Sequence, residues 1–430
     1  MSYQAFLESK RRIVHGDGPA ARGSDVHPML KPFQRALVTW AVKKGRAALW
    51  TDCGTGKSFM QLEWARLLDV PALILAPLCV AEQTVHEAAK LGLSLHYAET
   101  RAGIKGPLTI TNYERLDRFD PAQFGAVVLD ESSILKSFDG KTRSALIAAF
   151  SRTKYRLCCT ATPSPNDIAE LANHSEFLGL MTRAEFLATW FVHDDEGWRM
   201  KRHARAPFFR WLASWAIALR TPSDLGFDDT GYDLPPLQIQ DRVVSASKAP
   251  EGMLFHDMAA KGIQGRMAAR CASLEDRIAA AAELAAQPGQ WLIWCGLNTE
   301  SAALADAIQG AVEVCGADTY AEKRAAVEGF MSGSIRVLVS KMRILGFGMN
   351  FQHCHQMLCV GLGDSYEQYY QAIRRCWRFG QTESVSVHII VSEAETGVVA
   401  NVRRKEQAAM ALSSELLASM RDFEREEVCA

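Results

Sequence analysis

The chain lacks net charge: 48 lysines and arginines stand against 49 aspartates and glutamates in 430 residues, a formal net of −1. Global attraction to a polyanion is excluded, so any nucleic-acid surface must be a local patch. No apolar run approaches the roughly 20 residues of a membrane span, and the polar N-terminus has no signal-peptide core. Eleven cysteines are present, yet no C-x-x-C pair occurs among them. Cys158, Cys159, Cys295 and Cys359 lie in apolar strands, where a reduced thiol acts as a small core residue. A disulfide framework or zinc site is therefore not expected, and the compartment is expected to be reducing.

With 48% hydrophobic and 23% charged residues, the chain has enough apolar material to bury more than one core. Short apolar strands alternate with helical patterns, a rhythm that predicts the α/β class with parallel sheets. Strands are predicted near 47–51, 72–77, 108–113, 126–131 and 155–162, then again near 291–295, 312–316, 335–340, 357–361 and 384–391. Two sheets in tandem follow. Between them Gly231-Tyr232-Asp233-Leu234-Pro235-Pro236-Leu237 has linker composition, and its prolines rule out a helix interior. The expected organisation is an N-terminal extension at 1–30, a nucleotide-binding domain at 31–180, an insertion at 181–230, a linker at 231–240, a second domain at 241–399 and a helical tail at 400–430.

The run Asp52-Cys53-Gly54-Thr55-Gly56-Lys57-Ser58 follows a predicted strand and precedes a helical pattern. Small residues before Gly-Lys-Ser let backbone N–H groups turn onto phosphates. The lysine then reaches the β/γ-phosphates, and the serine hydroxyl is placed for Mg²⁺ at a helix N-terminus. The strict pattern has glycine where this chain has Thr51. A second element, Ala126-Val127-Val128-Leu129-Asp130-Glu131, is an apolar strand ending in adjacent carboxylates, a Walker B pattern. Asp130 is expected to hold Mg²⁺ and Glu131 to handle the water that attacks the γ-phosphate. A strand that emerges into solvent also ends in acids, but its distance from the phosphate loop favours the chemical reading. In the second half, Ser365 to Gln381 reads as one helix with Gln371, Arg375 and Arg378 at i, i+4 and i+7, on a single face. Converging arginines point to an anion, as in an arginine finger. The alternative is a surface helix with salt bridges.

These motifs, with Lys31-Pro32-Phe33-Gln34, Leu75-Ala76-Pro77, Thr160-Ala161-Thr162-Pro163 and Gly346-Phe347-Gly348-Met349-Asn350, stand in the order of the superfamily 2 helicases and translocases. The chain resembles the Snf-type branch and its compact bacteriophage relatives over residues 30–392. The resemblance implies two RecA-like domains, ATP and Mg²⁺ as cofactors, and a nucleic-acid partner, DNA before RNA. It implies that Gln34 reads adenine with Phe33 packed nearby, and that Thr160 and Thr162 couple hydrolysis to movement. It also implies that Gly346, Gly348 and Asn350 form the loop sensing nucleotide and nucleic acid, and that Arg375 and Arg378 stabilise transition-state charge. Gln371 is expected at the γ-phosphate or its water. Motif II ends Ser132-Ser133 where the Snf branch usually has a histidine. The implied setting is the cytoplasm of a bacterial or phage-infected cell, with a replication, recombination or nuclease protein as a possible partner.

The segment 181–230 interrupts the α/β rhythm with Trp190, Trp198, Trp211 and Trp215 and the basic residues Arg199, Lys201, Arg202 and Arg205. Trp211, Leu212, Trp215 and Leu219 are expected on one helical face, packed on a domain. The basic residues either track a phosphate backbone or form a solvated turn. The tail either braces the second domain or binds a partner. An ATP-dependent DNA translocase is the first functional reading. An RNA helicase, an ATP-dependent switch or loading factor, and a motor for a separately encoded nuclease are the others.

Overall fold

In the computed structural model the described residues are 13–136, 140–195, 197–245, 270–345 and 349–427. Within them the chain forms two compact units, one reaching Tyr232 and rejoined from Ala408, the other spanning Asp233–Gln407. Gly346 and Gly348, expected in the sensing loop, lie outside the described residues.

The first unit is built on a seven-stranded sheet. In chain order its strands are β1 (Arg46–Thr51), β2 (Ala72–Ala76), β3 (Leu95–Tyr97), β4 (Leu108–Asn112), β5 (Ala126–Asp130) and β6 (Tyr155–Cys159), with a later strand, Ala216–Leu219, completing it. Two short strands, β7 (Phe191–Asp194) and β8 (Gly197–Met200), pair as an antiparallel hairpin before it, so Ala216–Leu219 is β9. The sheet order is β3-β4-β2-β5-β6-β1-β9, and every pairing is parallel. Parallel strands need crossover helices on both faces, which is why β2, β4, β5 and β6 are buried at every position, with β2 and the first four residues of β5 reading as unbroken apolar runs. All loops at the strand C-termini open on one edge. That edge carries the phosphate loop after β1 and the carboxylate pair at the end of β5, as expected for an open α/β sheet.

The segment 181–230 departs from its expected helical form. Its helix ends at Ala213, so Trp215 and Leu219 do not continue the face of Trp211 and Leu212. Ser214 Oγ turns back to the Trp211 carbonyl at 2.6 Å, and the apolar run Ala216–Leu219 pairs with the free edge of β1. Four apolar residues beside an open strand edge gain more from ladder bonds than from a further helical turn. Trp190, Trp211 and Trp215 are buried, in edge-to-face and tilted contacts with Phe186, Phe208 and Trp50. Packing accounts for these three tryptophans. The helix Thr396–Glu427 ends in this unit, where Leu416 and Met420 join the core and Met420 Sδ accepts the Ala218 N–H at 3.4 Å. A polar group on the outer strand is thereby satisfied.

The second unit carries a six-stranded parallel sheet of β10 (Leu237–Val244), β11 (Trp291–Cys295), β12 (Ala311–Val314), β13 (Val337–Lys341), β14 (Gln356–Val360) and β15 (Val385–Ser392), in the order β10-β15-β14-β11-β13-β12. The fold is thus α/β with two parallel sheets in tandem. Arg277 is fully buried within this unit and pairs with the equally buried Glu300 at 2.7 Å, while Arg270 reaches both Glu300 and Glu395. Glu300 Oε2 also accepts the N–H groups of Gly296 and Leu297, holding the turn after β11. A buried pair of this kind is costly to break because the remaining charge has no water. Arg277→Ala is expected to destabilise the second unit by about 3 kcal/mol, measured by denaturant unfolding; a loss under about 0.5 kcal/mol would show that Arg270 alone satisfies Glu300.

Candidate nucleotide site and the arginine motif

The phosphate loop begins where β1 ends. Gly54 and Gly56 both have φ of 85°, and Gly56 caps the helix Lys57–Leu67. The left-handed backbone at Gly56 disfavours any side chain, and a Cβ there would also push Gln34 Nε2 off the Thr55 carbonyl. Lys57 Nζ folds back to the carbonyls of Thr51 and Asp52 at 2.8 and 3.0 Å, while Cys53 N–H is taken by Asp52 Oδ1 at 2.6 Å. Thr55 is buried, its Oγ1 2.9 Å from Thr51 Oγ1. Thr51, which replaces the expected glycine, therefore ties the two ends of the loop together.

Gln34 sits in the first turn of the helix Pro32–Lys44. Its Oε1 accepts the Lys31 N–H at 2.8 Å and its Nε2 donates to the Thr55 carbonyl at 2.7 Å. Phe33 is buried with its ring edge-on to Tyr232 at 5.3 Å. These contacts hold the helix against the loop whether or not the amide also serves a base.

Asp130 ends β5 with its carboxylate buried. Burial raises its carboxyl above the ordinary range, opposed by the Gln61 amide, which donates to Oδ1 at 2.7 Å, and by the Lys57 charge. Gln61 Oε1 is buried and has no protein partner. Tyr113 Oη donates to the Asp130 carbonyl at 2.6 Å. Glu131 follows at φ 57°, a left-handed conformation that costs a non-glycine residue roughly 1–2 kcal/mol. Its Oε2 accepts from Thr160 Oγ1 at 3.2 Å, and Thr160 Oγ1 in turn accepts the Thr162 N–H at 3.1 Å. Phosphate loop, carboxylate pair and Thr160 thus form one constellation within the first unit, with Ser58 half-buried at the start of the loop helix. Sequence reading did not single out Gln61 or Tyr113. Gln61 lies one helical turn beyond Ser58, a spacing that could have revealed it; Tyr113 carries no such signal because β4 and β5 are joined only through the sheet.

The residues present fit a metal-bound nucleoside triphosphate. Two left-handed glycines open the loop backbone, a lysine follows them, and a buried carboxylate stands beside an unpartnered amide oxygen suited to accept from a metal-bound water.

In the second unit the helix expected from Ser365 to Gln381 stops at Ile373, with Ser365 capping it through the Gln368 N–H. The Arg375 carbonyl is captured by the Phe351 N–H at 2.9 Å, and Gln381 Nε2 reaches the carbonyls of Cys354 and Cys376. Tertiary partners thereby replace the next helical bonds, and the i+7 face does not extend to Arg378. Gln371 and Arg375 do meet: Arg375 donates from Nη2 to Gln371 Oε1 at 2.7 Å, and from Nη1 to the Met349 carbonyl at 2.9 Å. Arg378 is half-buried beyond them. Arg374 stacks over Trp377 and Tyr370, and burial pulls it down to about 9, with the nearby Arg378 adding to the shift. Asn350 accepts the Gln352 N–H at 3.2 Å and so shapes its own turn.

Residues 276–380 match the model of the helicase conserved C-terminal domain. The arginine motif lies at the end of the matched stretch. The chain is 28% identical over 211 residues to protein p41 of Acyrthosiphon pisum secondary endosymbiont phage 1, a match covering 42% of each chain, so less than half of that relative's length is spanned. The Sulfolobus solfataricus SWI2/SNF2 ATPase core in complex with dsDNA aligns over 95% of this chain and 98% of its own, at 18% identity and a TM-score of 0.45. No helix among the described residues is long and apolar enough to cross a membrane.

The basic residues of 181–230 are exposed in part but engaged. Arg199 pairs with Asp194 at 3.1 Å, Lys201 Nζ caps the carbonyls of Ala188 and Thr189, and Arg205 pairs with Glu415. Arg202 is exposed beside them.

His174, in the helix Leu171–Leu178, is fully buried, and burial alone pulls it down to about 3. Its neutral form is therefore the folded form. An unfolded histidine titrates near 6.5, so the stability it confers is fully present above pH 6.5 and is lost as pH falls from there toward 3. Wild type is expected to lose stability over that window more steeply than His174→Phe, measured by thermal melts from pH 7 to 5; parallel losses would show that other groups set the acid limit.

Proposed function

We propose that the chain is a nucleic-acid-dependent ATPase that translocates on DNA. The carrying observation is the constellation of Lys57, Asp130, Glu131 and Thr160 at one sheet edge, in a chain whose residues 276–380 match the helicase conserved C-terminal domain. Mg²⁺ bound with ATP would supply charge neutralisation on the β- and γ-oxygens. Lys57 releases its bonds to Thr51 and Asp52 and takes a phosphate charge instead. Ser58 and Asp130 hold the metal, Gln61 keeps Asp130 oriented, and Glu131, aimed by Thr160, orients and deprotonates the attacking water. Gln34 and Phe33 favour adenine. Asp52 to Gly56 wrap the phosphates.

Arg375 and Arg378 stabilise the transition-state charge, for which Arg375 exchanges its present bonds to Gln371 and the Met349 carbonyl. Gln371 stays beside it, and Asn350 with Gly346 and Gly348 relays nucleotide state. Arg199, Lys201, Arg202 and Arg205 contribute phosphate contacts, with Arg202 the readiest of the four because its neighbours already bond within the protein. The expected contacts are to backbone phosphates, since a motor that read bases would stall as sequence changed. DNA ahead of RNA rests on the Gln-x-x-x-Arg spacing and the terminal Gly-Gln of the arginine motif.

Lys57→Ala is expected to abolish ATP binding or turnover, whereas Glu131→Gln keeps binding and lowers turnover by about 10³-fold. Nucleotide affinity and steady-state hydrolysis measured on both variants check this, and turnover by Glu131→Gln at the wild-type rate would remove Glu131 from its role. Duplex or branched DNA is expected to stimulate hydrolysis more than single-stranded RNA, with a steep fall as salt rises. Stimulation by RNA equal to that by DNA would reassign the substrate; no stimulation by either would favour a switch or loading factor.

A further inference from the structure

Motif II of this chain ends Ser132-Ser133, without the histidine usual in the branch it resembles, and a histidine from another element meets the first of these serines. His174 is fully buried, and its Nε2 lies 3.1 Å from Ser132 Oγ. Its ring stands edge-on to Trp50 at 5.7 Å. Trp50 lies in the strand that feeds the phosphate loop, and Ser132 directly follows Glu131. One imidazole therefore touches both motifs from behind.

We infer that His174 is a positioning residue for Glu131, acting through Ser132 to hold the left-handed turn in which Glu131 faces its water. The inference rests on the role of Glu131 proposed above. Glu131 pays for its φ of 57° only if the residues on either side are fixed. On the side-chain side, Thr160 Oγ1 holds its carboxylate. On the backbone side, Ser132 is buried, and its hydroxyl bonds His174. The helix that bears His174 is itself anchored to the segment after motif II, because Asn173 Nδ2 donates to the Leu135 carbonyl at 2.7 Å. Ser132 is thus tied to the helix Leu171–Leu178 by His174.

The tautomer follows from the partners. His174 Nδ1 is buried with no hydrogen-bond partner. A buried N–H left unpaired is rarer and more costly than an unpaired lone pair, so Nδ1 is the bare nitrogen and Nε2–H donates to Ser132 Oγ. A glutamine side chain can place its Nε2 where the imidazole Nε2 stands, whereas phenylalanine keeps the ring contact with Trp50 and loses the donor.

The test is steady-state ATP hydrolysis by wild type, His174→Phe and His174→Gln, with nucleotide affinity measured separately and long-range ¹H–¹⁵N spectra of the histidines. His174→Phe is expected to lower kcat about tenfold with KM and ATP affinity within twofold of wild type, and His174→Gln to recover most of the loss. The spectra of wild type are expected to contain an Nε2–H histidine that does not titrate between pH 8 and 5 and that disappears in His174→Phe. Unchanged kcat in His174→Phe, a loss that glutamine does not recover, or an Nδ1–H tautomer would each overturn the inference. If His174→Phe does not fold, His174→Gln and the wild-type spectra still decide it: wild-type kcat together with the expected tautomer supports the role, and a tenfold loss in the glutamine variant or the wrong tautomer rejects it. Wild type without turnover on any nucleic acid would instead reject the proposed function, while the tautomer would still report whether the Ser132 contact exists.

Discussion

A carboxylate buried at the end of a central parallel strand is the constraint on which the first unit turns. Asp130 cannot be left bare in that position, because a desolvated charge without partners costs far more than any neighbouring contact returns. Gln61 donates to it from the loop helix, Lys57 lies near enough to lower its carboxyl, and Tyr113 takes its carbonyl. Gln61 and Lys57 come from the loop helix and Tyr113 from the segment after β4, so the partners of one residue hold that helix and that segment against the end of β5. The unpartnered oxygen of Gln61 is the part of this arrangement that protein groups do not complete.

Glu131 extends that constraint into strain. Its left-handed backbone turns its side chain to Thr160 rather than along the strand direction. Such a conformation persists where surrounding contacts over-determine it, and strained residues of this kind gather at functional sites. Here the contacts come from Thr160, just beyond the end of β6, and from the helix that carries His174.

The second unit solves a similar problem with opposite charge. Arg375 is buried, and among the described residues the carbonyls of Met349 and Gln371 and the Gln371 amide oxygen take its donors. Neutral acceptors hold a guanidinium without cancelling its charge, which leaves it able to exchange them for an anion. Arg277 is held otherwise, by Glu300, and this pair belongs to the architecture of the unit rather than to an exchange of partners.

Much was legible before folding because its causes are local. Buried parallel strands must be apolar on both faces, so β1, β2, β4, β5 and β6, and β11, β13, β14 and β15, could be read from composition. The phosphate loop and the carboxylate pair could be read because their chemistry demands particular residues in sequence. What depended on distant partners could not be read. The apolar run Ala216–Leu219 became a strand only because β1 has an open edge, the arginine helix ended at Ile373 because Phe351 takes a carbonyl from beyond it, and Lys201 and Arg205 were bound by groups that sequence separation hides. Sequence by itself determined the sheet class and the phosphate chemistry, since periodicity and short motifs act through neighbouring residues. Tertiary structure alone decided which side chains stand behind that chemistry, because Gln61, Tyr113 and His174 meet the carboxylate motif only when separate crossovers pack on one sheet.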